Sequence, residues 1–130
     1  MSLPSRPQSL MEVARITADG GDFDFCLANF LDAFYAAPRA AALADAPLLL
    51  GPLAGERGVV QDAYLAATAE YLAHTHGLAM PAWIASEARK LHRPWFASSL
   101  GALRAALILE SPAAFRARNL FVSENALSRA

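Results

Sequence analysis

One cysteine, Cys26, stands among 130 residues. A lone thiol forms neither an internal disulfide nor a multi-thiolate zinc site. Phe23, Phe25, Leu27 and Phe30 surround it in sequence and no cation stands close, so it is expected to be buried and inert. Charge is scarce as well, at 18% of residues, against about 25% in ordinary soluble domains. Long apolar runs are missing. The longest uncharged stretch, 71–86, is interrupted by His74, His76, Gly77 and Pro81 and falls short of the roughly 18 unbroken apolar residues of a membrane span. The opening MSLPSRPQSL has no apolar core or small-residue cleavage pattern of a secretory signal, so a cytoplasmic protein is expected.

Catalytic signatures are lacking too. There is no GxSxG, GxGxxG or GxxxxGKS, and the glycines at 51, 55 and 58 are not followed by the Lys and Ser/Thr that a phosphate cradle needs. HExxH, paired CxxC and ExxH are absent. His74 and His76 point about 200° apart on a helix and cannot chelate one ion together. Asp22 and Asp24 flank a helix start, where the dipole favours negative charge, and this explains them better than acid–base work. No catalytic residue, metal or cofactor is therefore assigned, and the reading leans away from an enzyme.

What the chain does have is apolar bulk. Hydrophobic residues make up 55%, 30 residues are alanine, and the net charge is -1, so disorder is excluded and a single domain over residues 1–130 is expected. The charge is unevenly spread: residues 1–79 carry nine acids and four bases, whereas residues 80–130 carry seven bases and three acids. Either the halves attract each other or the basic half faces an acidic partner or nucleic acid.

The apolar period is near 3.6 almost throughout, with no convincing alternation, which predicts an all-α bundle of six to seven helices. Ser9 and Glu12 form a capping box for a first helix that Gly20-Gly21 closes. Asp22 or Asp24 caps a second, with Phe23, Leu27, Phe30, Leu31 and Phe34 as its buried stripe. Pro38 fits the first turn of a third, alanine-rich helix ending at Ala46. Segment 47–58 is a loop laying Leu48, Leu49 and Leu50 on the core. The longest helix runs from about Val59 to His76, inward through Val60, Tyr64, Thr68, Tyr71, Leu72 and Thr75, and Gly77 ends it. Pro81 opens another through Leu91, Ser98 or Ser99 caps a sixth with Leu100, Leu103 and Leu107 inward, and Ser111 caps a short seventh. Ser123 can cap a last short turn of helix.

Two proline-anchored tryptophans, Trp83 and Trp95, are the most distinctive feature. They either pack at helix boundaries or, with Arg89, His92 and Arg93, form an aromatic and basic platform of the kind that dominates protein interfaces. Ala73 to Gly77, followed by Ser86, Arg89 and Lys90, has the spacing of a helix-turn-helix. Pro81 and Trp83 at the head of its would-be recognition helix, and the slightly acidic chain, disfavour direct DNA binding.

The runs Tyr71-Leu-Ala-His-Thr-His-Gly77, Pro81-Ala-Trp83, Leu91-His-Arg-Pro-Trp-Phe96 and Ser111-Pro-Ala-Ala-Phe-Arg to Arg129 resemble a small all-helical bacterial family. Similar modules occur alone or fused behind helix-turn-helix regulators, and some look like components of toxin–antitoxin gene pairs. The resemblance covers about residues 59–130, and 21–35 more loosely, and it carries no catalytic residue across. The missing catalytic signatures, and an apolar content higher than a small monomer can hide, point to a non-catalytic protein-interaction or regulatory module that binds a protein partner or itself, antitoxin-like by the resemblance. The candidate surface is Trp83, Arg89, His92, Arg93, Trp95, Arg116 and Arg118. A small-molecule or enzymatic pocket between helices, lined by Tyr64, Tyr71 and His74, is the alternative, and direct DNA binding is the third.

Overall fold

Short polar signals start and stop the first two helices. In a computed structural model that describes residues 6–98 and 100–129, α1 spans Leu10–Ala18 and α2 spans Phe23–Ala36. Ser9 Oγ accepts the Glu12 amide at 3.1 Å, and the Glu12 carboxylate accepts the amide of Gln8 at 3.2 Å. Each such bond satisfies a donor that the first helical turn leaves free. Gly20, at φ 105°, turns the chain, and Asp22 caps α2 by accepting the Phe25 amide at 2.8 Å. The expected stripe of Phe23, Leu27, Phe30, Leu31 and Phe34 is buried, with Phe30 stacked on Phe34 at 5.8 Å. Cys26 is buried as well, and burial together with the neighbouring Asp22 charge pushes its thiol pKa up, away from reactivity.

The long helix, α5 (Glu56–His76), is the centre of the fold rather than an amphipathic face of it. It begins three residues earlier than its apolar period predicts. Asp62, Ala63, Leu65, Ala66, Ala67, Thr68, Ala69, Leu72 and Ala73 are all buried, Val60, Tyr64 and Tyr71 are half-buried, and Thr75 is exposed. The single-face expectation is too narrow because α4 (Gly51–Ala54), α7 (Ala113–Arg116) and two 3-10 turns all pack on α5. Its alanines leave room for these neighbours to approach. At the far end Gly77 takes the left-handed conformation at φ 64°, and its amide reaches back to the carbonyl of His74.

Between these helices the chain departs from the expected pattern. The third helix, α3, is only Ala41–Ala44. Of the leucine triplet only Leu50 is buried, while Leu48 and Leu49 are exposed, because α4 folds Leu50 inward onto α5. The helix expected from Pro81 to Leu91 is instead a pair of 3-10 turns, Ala82–Ala85 and Glu87–Arg89, split at Ser86, whose hydroxyl accepts the Ala88 amide. Arg89 enforces the break: its guanidinium turns inward to the carbonyls of Pro47 and Asp62.

Two-residue strands β1 (Trp95–Phe96) and β2 (Leu120–Phe121) pair in parallel, with Trp95 opposite Leu120 and Phe96 opposite Phe121. No alternation announces them. Asn119, at φ 62°, turns the chain ahead of β2 and donates its side-chain amide to Leu91 O at 2.7 Å. α6 spans Gly101–Glu110, preceded by Ser98 Oγ accepting the Leu100 amide, whereas Ser99 lies outside the described residues. Ser111 does not cap α7. Its hydroxyl donates to Leu120 O and accepts the Val122 amide. Ser123 leads into a turn and not a helix.

The charge asymmetry is partly resolved inside the fold. Arg118 meets Glu70 at 3.1 Å and Arg129 meets Asp32 at 2.9 Å, each pairing a base of the second half with an acid of the first. Among the described residues no helix is long and apolar enough to cross a membrane.

Candidate functional site

The basic and aromatic residues expected to form one surface divide into two groups. Arg89 and Arg118 are buried, at 3% and 7% exposure. Arg118 donates to Ala114 O at 2.8 Å, Ile84 O at 3.0 Å and the Glu70 carboxylate at 3.1 Å, so it cross-links α7, the first 3-10 turn and α5. Both arginines therefore leave the candidate surface: their donors are already taken up by main-chain carbonyls and, for Arg118, by the Glu70 carboxylate. Trp83 is half-buried, donates its indole N–H to Leu43 O at 2.9 Å, and carries the Arg89 guanidinium 4.7 Å above its ring. Its polar tip and one face are thus already occupied. His92, Arg93 and Arg116 are exposed.

Helix α6 supplies the exposed apolar surface that the tryptophans do not. Its sequence, GALRAALILE, holds a single buried residue, Leu107. Leu103 and Ile108 are each 45% exposed, Leu109 is 81% exposed, and Leu100, just ahead of the helix, is 63% exposed. Leu100 and Leu103 were expected to face inward. They do lie on the Leu107 side of the helix, but α6 touches the rest of the fold mainly through β2, so the N-terminal part of that face is left uncovered. Leu109 lies about 200° round from Leu107, on the opposite side. A helix apolar on every side is ordinarily enclosed. This signal was legible in the sequence, where only Arg104 and Glu110 break the apolar ring.

The expected pocket trio is not brought together. Tyr64 lines an open cleft of ≈ 1020 Å³ between the α1–α2 turn, the first turns of α5 and the chain after β2, whereas Tyr71 and His74 lie outside it. His74 and His92 are exposed, and His76 packs edge-on against Phe34 at 5.1 Å. Among the described residues no three His, Cys, Asp or Glu side chains are grouped to hold a metal ion. The segment after α5, which a helix-turn-helix would use as recognition helix, is 3-10 in form with Arg89 turned inward.

Tyr64 is the most perturbed group of the cleft. Its ring meets Phe23 edge-on at 6.2 Å and Phe115 at 5.0 Å. Burial, and secondarily the Asp24 charge, push its hydroxyl pKa up to about 12. Because the folded value lies above the ordinary value near 10, the folded chain keeps this proton longer than the unfolded one. The resulting stability is fully present below pH ~10 and is lost as pH rises through ~12. Absorbance titration of tyrosinate is expected to show a late transition near pH 12 that disappears in Tyr64→Phe. Persistence of that transition in the variant would assign it elsewhere.

Compared with protein-family models, curated proteins and solved structures, the chain matches none of them.

Proposed function

We propose that this chain is a non-catalytic protein-interaction module and that α6 is the segment a protein partner encloses. The supporting observation is the helix itself: ten residues, one of them buried, with large apolar side chains on opposite sides. An isolated helix of that length is marginal in water and draws its stability from packing, and exposed contiguous apolar surface is a mark of interaction sites. A second copy of α6 laid alongside would cover only one stripe and leave either Leu103 or Leu109 in water. A ten-residue helix is about 15 Å long, so such a pairing also falls well short of the roughly 800 Å² per partner of a stable interface. An apolar groove that takes the helix on more than one side fits better, as in helix-in-groove recognition. Arg93 and Arg116 add exposed positive charge in the same half of the chain, with His92 exposed beside Arg93 in sequence. The resemblance of residues 59–130 to modules of which some look like components of toxin–antitoxin gene pairs favours an antitoxin-like, regulatory version of this reading.

The test compares the tagged chain with a Leu103→Glu/Leu109→Glu variant in capture from native lysate. Both positions are solvent-exposed, so each substitution is expected to shift folding stability by no more than about 0.5 kcal/mol. A stoichiometric protein held by the parent and lost by the equally stable variant is the expected outcome. Equal capture by both would remove α6 as the interface.

A further inference from the structure

We infer that the cleft beside Tyr64 binds an organic cation with an apolar body, such as an arginine or lysine side chain of a peptide or a free polyamine. This site is separate from α6 and does not depend on the role given to that helix. Its walls are aromatic: Phe23, Tyr64 and Trp95 all line the cleft. Its rim is acidic, with Asp22, Asp24 and Glu56 against a single base, Arg57. Of these acids Asp22 is engaged as the cap of α2, while Asp24 and Glu56 make no hydrogen bond or ion pair among the described residues. Of the three half-buried tyrosines, Tyr35 donates to Leu127 O at 2.9 Å, whereas the hydroxyls of Tyr71, outside the cleft, and Tyr64, inside it, have no protein partner among the described residues.

Aromatic faces attract cations through their ring quadrupoles, and the attraction grows where water is partly excluded. Carboxylates at the mouth add charge-assisted acceptors for ammonium or guanidinium donors. An anion would meet the net negative rim, and a purely apolar ligand would leave Asp24 and Glu56 to be desolvated without compensation. A volume of ≈ 1020 Å³ lies at the upper end of small-molecule sites and leaves room for a ligand much larger than an ion, and the cleft is open to solvent.

Isothermal titration of the full chain with three probes tests the inference: a short leucine-rich peptide carrying two arginines, spermidine, and the same peptide with glutamate in place of arginine. In parallel, a Trp83→Phe variant leaves Trp95 as the sole tryptophan, and its fluorescence reports directly on the cleft. Saturable binding of the arginine peptide or of spermidine is expected, with none for the glutamate peptide. Preference for the peptide identifies a protein source of the cation, and preference for spermidine identifies a free amine. Asp24→Asn/Glu56→Gln is expected to weaken the binding by about tenfold or more, with the affinity of the parent falling as salt rises. No saturable binding of either cation up to millimolar concentration, binding unchanged in the double variant, or preference for the glutamate peptide would each overturn it.

Discussion

Asp62→Ala is expected to lower the unfolding free energy by about 4 kcal/mol, the scale of removing one partner from a buried charged site. Asp62 is 2% exposed, and its two carboxylate oxygens accept the amides of Leu50 at 2.7 Å and Gly51 at 2.9 Å. Those amides open α4 and have no earlier turn of helix to bond to. Removing the carboxylate leaves both donors buried or half-buried without acceptors, and it takes away the negative charge that lies near the buried Arg89 guanidinium. Asp62→Asn is expected to lose about half as much, because an amide offers one acceptor oxygen where the carboxylate offers two. Urea unfolding measures both. A loss under about 1 kcal/mol for the alanine variant would mean that water replaces the carboxylate at the start of α4.

Gly58→Ala is the second large effect, expected at about 3 kcal/mol or more, the upper range for overpacking a tight site. A Cβ at this position would overlap Leu50 O and Leu50 C and stand 2.8 Å from Gly51 N. All three are main-chain atoms of the Leu50–Gly51 peptide, whose Gly51 amide and the Leu50 amide ahead of it bond the Asp62 carboxylate, so no side chain can swing away to relieve the overlap. At Gly51 a Cβ would meet side-chain atoms first, Val59 Cγ2 at 3.0 Å and Asp62 Oδ2 at 3.3 Å, with Val59 Cα at an ordinary 3.8 Å, and a smaller loss is expected for Gly51→Ala. Since Gly58 and Asp62 secure the same turn, the double variant should lose less than the two single losses combined. Additive losses would show that the two positions act independently, and an unchanged midpoint in Gly58→Ala would show that the 47–55 segment is free to move away from α5.

The candidate surfaces were legible to different degrees. The apolar ring of α6 was open to reading, because Leu103, Leu107, Ile108 and Leu109 crowd one short helix with a single charge of each sign. Its exposure was not, because a residue pattern does not say whether the rest of the chain is large enough to cover every side. Arg89 and Arg118 look like surface charge in sequence. Their burial depends on carbonyls of Pro47, Asp62 and Ile84 that arrive from other segments, with Ala114 O added from the turn just before Arg118. The cleft was harder still. Phe23, Asp24, Glu56, Tyr64 and Trp95 come from separate stretches of chain, and only Tyr64 of the expected pocket residues lies there.

Local chemistry by itself determined both ends of α1, the start of α2, the end of α5 and which face of α2 is buried. Ser9, Asp22, Gly20 and Gly77 act through bonds and backbone conformations that span a few residues, and the α2 stripe follows from 3.6 residues per turn. Tertiary structure alone decided the burial of α5 on several sides, the 3-10 form of residues 82–89, the β1–β2 pairing and the packing of Leu50. Each of these depends on hydrogen bonds or close approaches between residues far apart in the chain. Asp62 to Leu50, Arg89 to Pro47, Asn119 to Leu91 and Gly58 against Leu50 override local preference because a buried polar group left unpaired costs more than a few tenths of a kcal/mol of helix propensity.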